Sequence, residues 1–124
     1  MNLSIRYGLP FVTAVVEYDG RKVELDNVLL DTGSAGTLFQ VDRLMTIGLH
    51  MEPEDLIRRI RGVGGAEFVF SKWVGGLDVG GLRVDNFEVE VGAMDYGFEL
   101  DGIVGLDFLQ AVRARIDLGE LTVS

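Results

Sequence analysis

Residues 28–39 read VLLDTGSAGTLF, and Asp31 follows three aliphatic residues, Val28, Leu29 and Leu30. A carboxylate at the end of such a strand is costly to bury unless its charge is used or paired. Two chemistries suit it. Asp and Ser side chains hydrogen-bond nearby main-chain N–H groups in turns, so Asp31-Thr32-Gly33-Ser34 reads as a tight turn. The same four residues also read as a catalytic carboxylate held at the mouth of a cleft.

Two further stretches accompany it. In RRIRGVGGAEFVF (58–70), apolar strands flank Gly62-Val63-Gly64-Gly65. Glycines at a hairpin tip remove the steric penalty on positive φ, which suits a mobile loop. A phosphate-cradling loop is disfavoured, because no Lys-Ser/Thr pair follows and no helix begins there. In DGIVGLDFL (101–109), an apolar pair, Ile103-Val104, leads through Gly105 into helical spacing of Leu106, Leu109 and Val112. Taken alone, that is a buried strand turning into a core-packing helix.

Elements able to position these motifs are mostly strands. TAVVEYDGRKVEL (13–25) alternates around Asp19-Gly20, the two-residue signal of a type I′ hairpin. NFEVEV (86–91) puts Phe87, Val89 and Val91 on one face and Glu88 and Glu90 on the other. RARIDLGELTVS (113–124) reads as a closing hairpin turning near Gly119, and a weak helical signal lies around Val41–Ile47. The chain of 124 residues, with 48% hydrophobic residues, 17 Gly and 2 Pro, is sized for one β-rich domain over 1–124.

Composition excludes several classes. A formal net charge of −9 argues against a nucleic-acid partner, which demands clustered Lys and Arg. The one basic cluster, Arg58, Arg59 and Arg61, reads as a solvated face beside Glu52, Glu54 and Asp55. Cys is absent, so neither disulfides nor thiolate metal sites are available, and the single histidine, His50, reads as a surface residue rather than a ligand or base. No metal or other cofactor is expected. No stretch approaches the roughly 20 apolar residues of a membrane span, and Met1–Gly20 lacks the order of a signal peptide. A soluble, cytoplasmic chain without membrane contact is the expectation.

The order of the motifs is more specific than any one of them. An apolar run into Asp-Thr-Gly-Ser, a glycine-tipped hairpin, then apolar-apolar-Gly opening a helix resembles the retropepsins, single-lobed aspartic proteases, over nearly the whole chain from Val12. The short prokaryotic members are more similar than the viral enzymes, since Ala35 stands where viral sequences commonly carry an acid. The resemblance implies an all-β fold: a closed acid-protease barrel lobe with one short C-terminal helix, in which LLDTGSA and GIVG cross as paired loops.

It also implies half an active site per chain. Asp31 alone is followed by Thr-Gly; Asp78 and Asp101 lack the motif. The second acid then comes from a second copy, and a two-fold axis beside Asp31 supplies it in a homodimer, its interface including terminal strands such as Leu121–Ser124. Such a pair shares one proton and hydrolyses a peptide or protein substrate through an activated water. On the resemblance, Thr32 ties the two loops across the axis and Gly33 admits the substrate backbone. Ser34 donates to the outer oxygen of Asp31, which would move activity toward acid pH. Gly62, Val63, Gly64 and Gly65 close as a flap, while Ile103 and Val104 line pockets for hydrophobic residues beside the cleaved bond. The alternative is a dimeric peptide-binding module of this fold that does not cut, and a plain structural β domain is the third reading.

Overall fold

The computed structural model describes residues 1–62 and 65–124. Its strands are β1 (Ser4–Arg6), β2 (Leu9–Tyr18), β3 (Arg21–Leu30), β4 (Leu38–Gln40), β5 (Ile57–Gly62), β6 (Gly65–Val79), β7 (Leu82–Gly92), β8 (Gly102–Val104), β9 (Ile116–Asp117) and β10 (Thr122–Val123). Two short helices, α1 (Val41–Met45) and α2 (Leu106–Ala111), occupy the places where helical spacing was legible. The turn between β2 and β3 has positive φ at both Asp19 (50°) and Gly20 (78°), as the type I′ reading requires.

The main sheet closes on itself. From β2 it passes to β3, then through the parallel pairing of β3 with β8, to β4, β7 and β6, and β6 pairs back onto β2. The result is the expected closed all-β lobe. A sheet with strands of this length has two faces per strand, and alternation sorts the apolar residues between two clusters. Val28 and Leu30 enter the larger core with Phe39, Val104 and Phe108, while Leu29, between them, joins Phe11, Leu38 and Ile103 in a smaller one. Outside the ring, β9 and β10 form the closing hairpin, and Asp117 Oδ1 accepts the N–H groups of Gly119 and Glu120 at its turn (both 2.9 Å).

Arg58, Arg59 and Glu54 are exposed as expected of a solvated face, but Glu52 and Asp55 are drawn out of it. Lys72 is buried on β6, and its Nζ meets Glu52 Oε1 at 2.6 Å and Asp55 Oδ2 at 2.9 Å. Glu52 N–H also donates to Asp55 Oδ2 (2.7 Å), so the segment before β5 is clamped to the middle of the sheet. Arg58 turns instead to Glu90 on β7, and Arg59 is exposed. A buried ammonium needs partners, and these two acids supply them. Among the described residues, no helix is long and apolar enough to cross a membrane.

The clamp makes stability depend on pH with a definite sign. The hydrogen bond from Lys72 holds the Glu52 carboxyl below its ordinary value, and the Glu52 N–H, reinforced by Lys72, does the same for Asp55. For Lys72 itself burial acts downward, but the two carboxylates outweigh it and hold the ammonium above its ordinary value. Depressed carboxylates contribute stability above their unfolded values of about 4 and lose it as pH falls further. Lys72→Met should therefore lower the urea midpoint at pH 7, and the gap between variant and parent should narrow at pH 3. A gap that stays constant between the two would reject the clamp.

Candidate active site

Asp31 leaves the end of β3 where that strand lies parallel to β8, with Leu30 opposite Val104. Its N–H continues the ladder to Val104 O (3.0 Å), so the carboxylate begins where the paired backbone ends. The turn that follows is the one its residue types encode. Gly33 N–H donates to Asp31 Oδ1 (2.9 Å), and Ser34 N–H donates to Asp31 O (3.2 Å). Turn and site are thus the same feature, and Asp31 is only part-exposed within it.

The loop from β3 to β4 is locked against the start of α2. Leu106 N–H donates to Ser34 O at 2.7 Å. A Cβ on Gly105 would stand 2.2 Å from Gly36 O and 2.7 Å from Ser34 O, so no side chain fits where the two loops cross. Thr37, fully buried, completes the lock: its hydroxyl donates to Asp107 Oδ1 (2.7 Å) and accepts the Gly105 N–H (3.1 Å), and its N–H donates to Asp107 Oδ2 (3.3 Å). Asp107 Oδ1 also accepts the N–H of Phe108 (2.8 Å). The crossing of LLDTGSA with GIVG is therefore built from a glycine contact and one charge-assisted network.

Asp31 lies on the rim of a cavity of about 640 Å³ whose walls are otherwise mostly apolar, including Leu9, Pro10, Leu29, Ile103 and Phe98. Tyr7 stacks on Phe98 (ring centroids 4.8 Å apart), and Phe98 meets Phe11 edge-on at 6.2 Å, which stiffens that wall. The closing hairpin also reaches the cavity, through Ile116 and Leu118.

Two expectations are corrected here. Ser34 does not donate to Asp31: its hydroxyl has one proton, and that goes to Gly36 O at 2.8 Å because the loop folds the carbonyl back over it. An acid shift of activity through Ser34 loses its basis. Val104 does not line the cavity. On β8 successive side chains point oppositely, so Ile103 faces the cavity and Val104 is wholly buried in the larger core. Of the expected flap, Gly62 and Gly65 pair across the ends of β5 and β6, whereas Val63 and Gly64 lie outside the described residues. Thr32 and Gly33 are exposed on the loop, on the rim of the cavity.

The other candidate acids have structural work. Asp78 Oδ1 accepts Gly81 N–H at 3.0 Å in a turn. Asp101 is buried, with Arg43 Nε at 3.3 Å and the Asn27 N–H on its other oxygen at 3.1 Å. His50 is exposed, its ring nitrogen 3.0 Å from Gly48 O. Thr37 and Asp107 were missed as site residues, although an acid in the first turn of a helix beside the Gly105 crossing was visible in GLDFL. Leu9 and Pro10 carry no local signal; the pairing of β2 with β3, which sets Phe11 opposite Leu29, brings them to the cavity.

A closed β lobe with one carboxylate presented from crossed loops over an apolar cleft defines an acid-protease fold. Comparison with family models agrees: residues 14–108 match the aspartyl protease family, and the chain belongs to it, in the retropepsin-like form. None of the curated proteins compared with the chain matches it.

Asp107→Ala removes the acceptor for three donors and leaves the buried Thr37 hydroxyl and N–H without their partner. Charge-assisted bonds of this kind contribute about 1.5–3 kcal/mol, so urea unfolding should show a loss of that size. Asp107→Asn, which keeps one acceptor, should recover part of it. An Ala variant as stable as the parent would reject the lock.

Proposed function

We propose that the protein is an aspartic endopeptidase that acts as a homodimer, with one Asp31 from each copy. The observation that carries this reading is the placement of Asp31: a carboxylate fixed by main-chain contacts on the rim of a 640 Å³ apolar cavity, in a chain that carries a single Asp-Thr-Gly. Membership of the aspartyl protease family supports it.

Two carboxylates a few Å apart hold one proton between them over an intermediate pH range. The charged one takes a proton from a bound water while the neutral one gives its proton to the scissile carbonyl oxygen, and the water oxygen bonds to the carbonyl carbon. The resulting diol collapses as the carboxyl that took the water proton gives it to the amide nitrogen, the other carboxylate takes a proton from a diol hydroxyl and the C–N bond breaks. The dyad thus returns to its starting charge, and no covalent link to the enzyme forms. Thr32, exposed beside Asp31, would contact its counterpart across the axis. Gly33 leaves room for the substrate backbone. Ile103 and the aromatic wall favour hydrophobic residues beside the cleaved bond, and Gly62, Val63, Gly64 and Gly65 would close over the substrate and exclude water.

The proposed interface includes the Asp31-Thr32-Gly33 loops and terminal strands such as Leu121–Ser124. Val123 N–H donates to Met1 O (2.9 Å), and Leu3 N–H donates to Leu121 O (2.7 Å), so those main-chain groups of the C-terminal segment serve the same chain. A partner would meet side chains there, Leu118 above all, which is 69% exposed.

Asp31→Asn should abolish peptide hydrolysis with circular dichroism and unfolding midpoint unchanged, because amide and carboxyl are nearly isosteric. Specific activity of the parent should also fall on dilution below the dimer dissociation constant measured by sedimentation. Retained cleavage in the variant rejects Asp31, and activity per chain that ignores dilution rejects the shared site.

A further inference from the structure

A second cavity, of about 480 Å³, adjoins the first: Gly33, Ser34 and Leu38 line both, so a peptide lying along the Asp31 loop spans the two. Its chemistry is opposite to that of the apolar cleft. Three carboxylates, Glu88, Glu90 and Asp107, face one guanidinium, Arg58. Alternation on β7 sends Glu88 and Glu90 to the face away from Val89 and Val91, and the pairing of Leu38 with Glu90 sets the carboxylate beside the loop. Gly36 lies against the same carboxylate, its Cβ position 3.6 Å from Glu90 Oε1.

The acids are not equivalent. Asp107 is committed to Thr37 and Phe108. Glu90 Oε1 pairs with Arg58, whose side chain is 61% exposed, but Glu90 Oε2 is buried and has no hydrogen-bond partner among the described residues. A buried carboxylate oxygen without a donor is costly, and a donor arriving with positive charge relieves that cost. Arg58, exposed on its own side of the pair, can swing aside to admit it.

We infer that this cavity is a specificity pocket for a lysine or arginine side chain of the substrate, at a position outside the two residues that flank the scissile bond. The aliphatic stem packs along Leu38, the cationic head donates to Glu90 Oε2, and Glu88 adds attraction from the same face. The inference rests on the peptide-hydrolase reading, and binding to a cleavage-deficient chain separates the two.

Asp31→Asn protein is presented with a pool of randomised peptides, and a selected peptide is remade with Lys, Gln or Glu at the enriched position. Lys or Arg should be enriched, and the Lys peptide should bind about ten-fold more tightly than the Gln one, the scale of a single partly desolvated ion pair. Adding Glu90→Gln should bring that ratio close to one. Glu88→Gln, at an exposed strand position and so safe for folding, should reduce it at least two-fold or so. A pool with no basic enrichment, or a Lys preference that survives both substitutions, overturns the pocket. A parent chain that cleaves none of the bound peptides while keeping the Lys preference overturns the hydrolase reading and leaves the pocket standing.

Discussion

The approach of Gly105 to the loop at 34–36 is the contact on which the site depends. At 2.2 Å from a carbonyl oxygen, the space a Cβ would need is already occupied, and both partners are main chain that cannot swing aside. Because Gly105 ends β8 and opens α2, the same contact fixes where the strand stops and where the helix begins. It brings Leu106 N–H to Ser34 O and Gly105 N–H to the Thr37 hydroxyl. Asp31 is therefore held from both sides of its turn: by the β3–β8 ladder before it and by the α2 lock after it. A carboxylate positioned this way loses little entropy when it meets a substrate, which is what pre-organised catalysis asks for.

Alternation along the strands then decides what that carboxylate sees. Leu29 of β3 and Ile103 of β8 face the cleft with the smaller cluster, Leu30 belongs to the larger core and also touches the cleft where β3 ends, and Val28 and Val104 lie wholly within the larger core. The cleft is thus walled mainly by the smaller cluster, with Leu30 and Ile116 joining it to the larger one. The division also makes each strand answer to two demands, and Gly102 shows the cost. A Cβ there would fall 2.7 Å from Leu38 O and 2.4 Å from the Phe39 ring, so the strand that carries Ile103 to the cleft gives up its own first side chain.

How much of this was legible follows from the range of each interaction. Local signals were readable: the Asp19-Gly20 turn, the alternation at 86–91, the start of α2 and the Asp-Thr-Gly turn depend on residues close in sequence. The order of motifs reached further and conveyed the family and the closed fold. What stayed hidden were choices made across the fold. A single hydroxyl proton at Ser34 had two acceptors in reach, and loop curvature chose Gly36 O over Asp31. The face taken by Val104 was fixed by its pairing with Leu30, not by its apolar type. The acids at 52–55 and Arg58 read as one solvated group because nothing local distinguishes a pair on a surface from partners drawn to a buried Lys72 on β6 or to Glu90 on β7.

Two features of Asp31 that look opposed become consistent on the proposed reading. Its turn is satisfied within one chain, since Gly33 and Ser34 both bond back to it. Its surroundings are not self-contained, since Thr32 and Gly33 are exposed beside an apolar cavity. A side chain meant only to cap a turn has no need of such a cavity. Hydrolysis of an amide by acid and base together needs a proton acceptor and a proton donor at the same moment, and one carboxylate cannot be both. A rigid half-site with an exposed edge meets that requirement with the least new structure, because pairing about the edge supplies the second carboxylate in the geometry of the first. In such a pair the rigidity that the Gly105 crossing gives to one loop would be given to both, and the separation of the two acids would be set by the fold instead of by the substrate.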